Sequence, residues 1–423
     1  MEVVTSVRLA RWSCAQAPAV LAPRSVRLAM APHRRVRIHR RPYGRVLVIS
    51  PWNIPLYIPL SQVLAALLGG NRVTLKPSEI TPRCGDLIGE LLADLLPPDT
   101  LRIVQGDGVV GASLIAERPD RVCFTGSVNT GRKVMAACAA HPVPVTLELG
   151  GIDALIVRAD ADLELASSAA AWGATFNGGQ ACCSVERLLA HSSIIEPLLA
   201  RIEAKLRRIG PTTDLGPAID QRQLGVWKNH VADARERGLR VSGGEELEGR
   251  RMSPVLVHGP GTEDSRAWVE ESFGPILAAL PFESDEQARA LHDATDFGLT
   301  ASVFTRNLVA GEALASSLRA GSVAVNEVAA TVYGHPELPW GGVDASGFGR
   351  SHGQEGMLEN TWAQVVDLPR VAVEPKPPWY YPYDDEQERA FALLSRALAR
   401  PGLRSAGRAA SALARVVSRH PRL

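Results

Sequence analysis

Residues 176 to 187 read Phe-Asn-Gly-Gly-Gln-Ala-Cys-Cys-Ser-Val-Glu-Arg, and 34 positions before Cys182 stands Glu148 in Thr-Leu-Glu-Leu-Gly-Gly. A glycine pair such as Gly178-Gly179 permits a tight turn that offers a side chain to a bound molecule. A thiolate held there adds readily to a carbonyl, and a carboxylate near it can take a proton from water to clear the resulting thioester. Alone, Cys182 would more often be a small buried apolar residue and Glu148 a solvated charge. Context argues the other way. Glu148 follows the strand-like Val145-Thr-Leu147 and precedes Gly150-Gly151, where backbone approaches closely.

Outward from this pair, apolar runs alternate with helical patterns. Arg45 to Ser50 and Arg72 to Lys76 read as short buried strands. Leu60 to Leu68 reads as a helix ending at Gly69-Gly70, Ile80 to Leu96 has helical apolar spacing, and Leu101 to Val104 is strand-like. Successive β-α-β units predict a parallel sheet with crossover helices, whose ligands bind at the carboxyl ends of the strands. Asn53 and Lys76 fall there. Residues 152 to 354 repeat the α/β theme, with strand candidates at Arg187 to Ala190, Ala301 to Phe304 and Ser322 to Asn326.

The 423 residues, 46% hydrophobic, predict two or three domains, and 46 Lys and Arg against 45 Asp and Glu give no sign of a nucleic-acid partner. The six cysteines have no metal-ligand spacing, so no metal site is expected. Neither a secretory signal nor a membrane span is readable at the N-terminus, and free thiols suit a reducing cytoplasm.

Six motifs stand in one order: Trp52 and Asn53 in Ser-Pro-Trp-Asn-Ile-Pro, Lys76 in Leu-Lys-Pro-Ser-Glu, Phe124 to Gly131, Glu148, Gly-Gln-Ala-Cys182, and Glu271 in Glu-Glu-Ser-Phe-Gly-Pro. From about Arg41 to about Leu368 the chain resembles the NAD(P)-dependent aldehyde dehydrogenase superfamily. The resemblance implies an α/β fold with a Rossmann-like cofactor domain of parallel sheet, an α/β catalytic domain and a small pair of oligomerisation strands. The corresponding division is 1–42 (N-terminal remnant and oligomerisation strand), 43–151 (NAD(P) binding), 152–354 (catalytic), 355–373 (oligomerisation strand) and 374–423 (C-terminal extension). The segment before the Pro-Trp-Asn strand is shorter than relatives carry, which implies an abbreviated domain or a missing start.

By the same resemblance Cys182 is the nucleophile and Cys183 a pocket neighbour. The Asn53 amide joins the Cys182 N–H in holding an oxyanion, and Glu148 activates the hydrolytic water. Cofactor contacts fall to Trp52, Lys76, Ser78, Glu79, Gly126, Ser127, Gly150, Glu271 and Phe273. Glu79 beside the ribose favours NAD, because a carboxylate repels a 2′-phosphate; NADP stays open. Ser351 and Gln62 stand where many members carry Glu and Lys. The implied activity is oxidation of an aldehyde to the acid through a thioester on Cys182. A cofactor-independent thiol hydrolase using Cys182, Glu148 and Asn53, or an inactive scaffold, are the alternatives.

The period-two patterns at Arg34 to Arg40 and Thr361 to Leu368 match the family's oligomerisation strands, so a homodimer is expected. Trp379-Tyr-Tyr-Pro-Tyr383 and the helix beginning at Asp384 loosely resemble dehydrogenases of long or hydrophobic aldehydes. Arg404, Arg408, Arg415 and Arg419 are spaced to share a helical face opposite Ala406, Ala410, Leu413 and Val417. Such a stripe is commonly a solvated face; its other reading is peripheral contact with an anionic membrane.

Overall fold

Val46, Leu47, Val48 and Ile49 are all buried, as a strand covered on both faces requires. Their strand, Arg45–Ile49, lies inside a six-stranded sheet in a computed structural model that describes residues 2–29, 31, 33–210, 213–371, 381, 383–400 and 402–419. Arg72–Lys76 and Arg121–Thr125 flank it in parallel. Leu101–Ile103 and Val145–Glu148 extend the sheet in parallel, and Gly347–Phe348 closes one edge antiparallel to Val145–Glu148. Crossover helices Tyr57–Leu68, Pro82–Ala93, Gly108–Ala116 and Val128–Ala139 cover it. The second of these is shorter than its apolar spacing suggests, because Pro82 sets its first turn.

A seven-stranded sheet runs Arg240–Ser242, Val255–His258, Ile276–Phe282, Val185–His191, Asp153–Val157, Thr300–Phe304, Ser322–Val325. Only Arg240–Ser242 pairs antiparallel. In Asp153–Val157, Ala154 and Ile156 enter one core with Trp227 and Leu314, while Leu155 and Val157 enter the other with Ala170 and Leu198. The period of two along a strand thus feeds two cores at once.

By contacts the chain divides into Met1–Ala22 with Arg40–Ala363, and Pro23–His39 with Gln364–Leu423. In the first unit, residues the sequence left without an element form a helix, Glu2–Val20, burying Ser6, Leu9, Ser13 and Ala17. The Glu2 carboxylate accepts the N–H groups of Leu56 and Tyr57, each at 2.9 Å, at the start of helix Tyr57–Leu68. A negative charge at a helix N-terminus is favourable there.

The second unit holds a three-stranded sheet in the order Arg24–Val26, Arg34–Pro42, Thr361–Pro369. Arg34 Nε meets Asp367 at 2.9 Å across it. Helix Asp385–Ala399 starts with a reciprocal cap between Asp384 and Gln387 and is followed by Leu403–Arg419. Ala390 and Leu393 pack with Ala412, Leu413 and Val416. This corrects the expected stripe. Ala406 and Ala410 are exposed, and the covered face is centred on Ala409, Ala412 and Val416. Of the aromatic run, Trp379, Tyr380 and Pro382 lie outside the described residues. Among the described residues no helix is long and apolar enough to cross a membrane.

Because Leu155 is wholly buried in an interior strand of the larger sheet, Leu155→Ala is expected to lower unfolding free energy by about 3 kcal/mol. Urea denaturation of the variant beside the parent checks it.

Candidate active site

The thiol loop is shaped by three consecutive left-handed residues: Asn177 at φ 53°, Gly178 at 66° and Gly179 at 74°. At Gly179 a Cβ would lie 2.0 Å from the carbonyl carbon of Gly274, so only glycine lets this loop meet the Glu271–Pro275 turn. The loop is then pinned by amides. Asn53 and Asn177 both donate to the Gln180 carbonyl, at 3.1 and 3.2 Å. The Gln180 side chain donates to Pro217 O at 3.1 Å and accepts Ile219 N–H at 2.9 Å, and Ser184 Oγ donates to Gly179 O at 3.0 Å.

Two cavities flank the cysteine pair. Cys182 lines one of about 500 Å3, together with Trp52, Asn53, Gly126, Ser127, Glu148, Gly150, Glu271 and Phe273. Nine of the twelve residues expected to act therefore share one space. Cys183 lines the other, about 710 Å3, with Tyr57, Trp172, Phe176 and Tyr333, and Asn53 borders both. Lys76, Ser78 and Glu79 are not in the first lining. They stand at the carboxyl end of Arg72–Lys76 beside Ile80, which is. Lys76 Nζ is 3.1 Å from Glu79 Oε2, and the buried Ser78 hydroxyl accepts Ile80 N–H at 3.3 Å.

Burial dominates the electrostatics of the site. Glu148 ends its strand with Oε1 buried and without a hydrogen-bond partner among the described residues. Burial pushes its carboxyl up to about 7, against opposing pulls from Ser351, Arg350 and Trp340. Glu271 is likewise raised to about 7 by burial, offset by the Gly151 N–H that it accepts at 3.0 Å. The Cys182 thiol is pushed up by its hydrogen bond with Cys183, then by burial and by the charges of Asp153 and Glu148.

Sequence reasoning missed two buried carboxyls. Asp153 bonds Thr300 through N–H at 2.9 Å and through the hydroxyl, tying strand Asp153–Val157 to Thr300–Phe304. Glu186, four residues after Cys182, accepts Ser272 N–H at 2.8 Å and Phe273 N–H at 2.9 Å. Phe273 sits at φ 47°, and its carbonyl accepts from Gln223 and from Trp227 Nε1, each at 3.1 Å. Its ring meets Trp52 edge to face at 5.5 Å. Nothing local in Val-Glu-Arg marks Glu186 as buried; its partners lie 86 and 87 residues away.

A dinucleotide fits what these residues offer. Gly126 and Ser127 bring the N-terminus of helix Val128–Ala139 to the cavity, where first-turn N–H groups suit a phosphate, with Ser127 Oγ accepting Thr130 N–H at 3.4 Å. The unpartnered Glu148 oxygen and the carboxylate of Glu271 face the same space. Among the described residues no group of His, Cys, Asp and Glu is placed to hold a metal ion.

The model of the aldehyde dehydrogenase family matches residues 1–366, so the likeness begins well ahead of Arg41. Over 379 residues the chain is 42% identical to a 4,4′-diapolycopene aldehyde oxidase of Methylomonas sp., covering 87% of this chain and 70% of that one. Its fold superposes with TM-score 0.84 on an NAD-dependent aldehyde dehydrogenase from Sinorhizobium meliloti, at 33% identity over 90% of this chain and 76% of that one. A Mycobacterium tuberculosis aldehyde dehydrogenase complexed with NAD+ gives TM-score 0.83 at 29% identity, over 88% and 78%. A loop thiol and a buried carboxyl on one cavity, on this fold and with this extent of match, have one reading: the chain belongs to the aldehyde dehydrogenase family.

Proposed function

We propose that this NAD(P)-dependent aldehyde dehydrogenase works through Cys182, Asn53 and Glu148, and that its substrate is a long or hydrophobic aldehyde. The observation that carries the assignment is the shared cavity of these three side chains. Cys182, its thiol proton passed to water, adds as the thiolate to the aldehyde carbonyl, and the Asn53 amide with the Cys182 N–H holds the oxyanion. Such a donor contributes about 3 kcal/mol to a transition state. Trp52, Lys76, Glu79, Glu271 and Phe273 would hold the NAD(P)+ that supplies the hydride acceptor for this oxidation. Glu148 then accepts a proton from water as it attacks the Cys182 thioester, and the acid departs as the thiolate is restored.

Trp52, Lys76, Ser78, Glu79, Gly126, Ser127, Gly150, Glu271 and Phe273 are the proposed cofactor contacts, divided between residues 43–151 and the catalytic 152–354. Glu79 favours NAD by repelling a 2′-phosphate, although its pairing with Lys76 at 3.1 Å softens that charge. The substrate class is supported by the second cavity, where Tyr57, Trp172, Phe176 and Tyr333 offer an aromatic wall for an apolar chain, although Glu2, Arg8 and His335 also line it. A relative named for a diapolycopene aldehyde points the same way. A cytoplasmic homodimer is the proposed working form. Its contact is the edge strand Thr361–Pro369, which exposes Trp362, Val365 and Leu368.

Three outcomes test this reading. Cys182→Ala is expected to abolish aldehyde-dependent reduction of NAD+, while Cys183→Ala retains measurable turnover; full activity in the first variant would remove the nucleophile.

Glu148→Gln is expected to keep a stopped-flow burst of reduced cofactor and to stall afterwards. In the parent, deacylation needs the carboxylate, which the raised pKa withholds below about 7. Steady-state turnover limited by that step should climb as pH passes through about 7, and the variant should lose that inflection. A variant without a burst, but with Cys182 still alkylated normally, would place Glu148 earlier.

Across a series of n-alkanals, kcat/KM is expected to rise from three to ten carbons by about tenfold or more, on the order of 0.8 kcal/mol per buried methylene before other costs. A flat or falling series would exclude the hydrophobic substrate without touching the assignment of Cys182.

A further inference from the structure

Charge in this chain is balanced overall but not evenly spread. Residues 389–423 contain eight arginines and no Lys, Asp or Glu. The other 388 residues therefore hold 38 of the 46 basic residues against all 45 acidic ones, a net −7 beside a C-terminal +8. Arg389, Arg396, Arg400, Arg404 and Arg408 are exposed, and Arg415 remains 64% exposed while lying 3.8 Å from Glu386. Spacings of four and seven put Arg404, Arg408 and Arg415 within one narrow flank of helix Leu403–Arg419.

We propose that this arginine flank, with the end of helix Asp385–Ala399, is an electrostatic docking face for the surface of an anionic phospholipid bilayer. Lone amphipathic helices enter a bilayer with a free apolar face. Here Ala412, Leu413 and Val416 are occupied by Ala390 and Leu393 of the preceding helix, so no such face is available. Attachment is adsorption by charge, and it is reversible by salt.

Two features favour a bilayer over a nucleic acid. A flat anionic surface needs its cations on one side only, which the narrow flank of Arg404, Arg408 and Arg415 supplies. The same unit also exposes Leu398 and the pair Tyr381 and Tyr383, whose rings lie 4.7 Å apart and tilted at 45°. Tyrosine rings with an apolar body and a polar tip suit the headgroup level. The proposal is independent of the substrate class inferred above.

The test is co-sedimentation of the full chain with two vesicle types, phosphatidylcholine alone and phosphatidylcholine with phosphatidylglycerol at about three to one. Binding is expected to the anionic vesicles only, and to fade as added salt shortens the screening length to about 8 Å at physiological strength and to about 3 Å at 1 M. The double variant Arg404→Gln/Arg408→Gln is expected to lower the partition coefficient by about 25-fold, near fivefold for each charge removed. Turnover of a short soluble aldehyde and the circular dichroism spectrum should not change. No binding at low salt, equal binding to the neutral vesicles, parental binding by the variant, or preferential capture by competing RNA would each overturn the proposal.

Discussion

One buried carboxylate holds the two halves of the site in register. Glu186 sits on the strand that follows the thiol loop, and its two oxygens receive the N–H groups of Ser272 and Phe273. Without those acceptors, the Glu271–Phe273 turn would leave two donors unpaired in a space that excludes water, at about 1–3 kcal/mol each. The same bonds hold Phe273 in a left-handed conformation that a bulky residue resists. The clamp is two-sided, since Gln223 and Trp227 grip the Phe273 carbonyl from helix Gln221–Glu236. Thiol loop, Glu271 and the Phe273 ring are thus tied together by hydrogen bonds.

Small residues make that closeness attainable. Gly179 lies against Gly274, and Gly150 lies against the Glu271 carboxyl, where a Cβ would stand 2.3 Å from an oxygen. Neighbouring cysteines then line different cavities, Cys182 the one with Glu148 and Glu271 and Cys183 the one with Trp172 and Phe176, with Asn53 bordering both. A single peptide unit thus separates the thiols of the two cavities.

How much of this the sequence discloses depends on how local each signal is. The strands around Arg45–Ile49 and their parallel pairing follow from short apolar runs, and Asn53, Glu148 and Cys182 stand out through motifs with fixed internal spacing. Helix Glu2–Val20 does not, because three of its four buried positions are Ser6, Ser13 and Ala17, which carry little apolar contrast, and Pro18 breaks the pattern. Asp153 and Glu186 read as ordinary charges until Thr300 and Ser272 arrive from 147 and 86 residues away. The tail pattern was legible as a charge stripe, but which of its apolar residues would be covered depended on a second helix.

Glu148, Asp153 and Glu271 are each raised to about 7 by burial, and Glu186 is raised further by burial and by Glu271. A carboxyl that binds its proton more tightly folded than unfolded favours folding fully only below the ordinary carboxylate range. That contribution is lost as pH rises from there through about 7. Ionisation is nevertheless what the role proposed for Glu148 requires. The conditions that arm the site are those that load its interior with like charge, so the two apolar cores on either side of the larger sheet serve as the reserve against which catalysis draws.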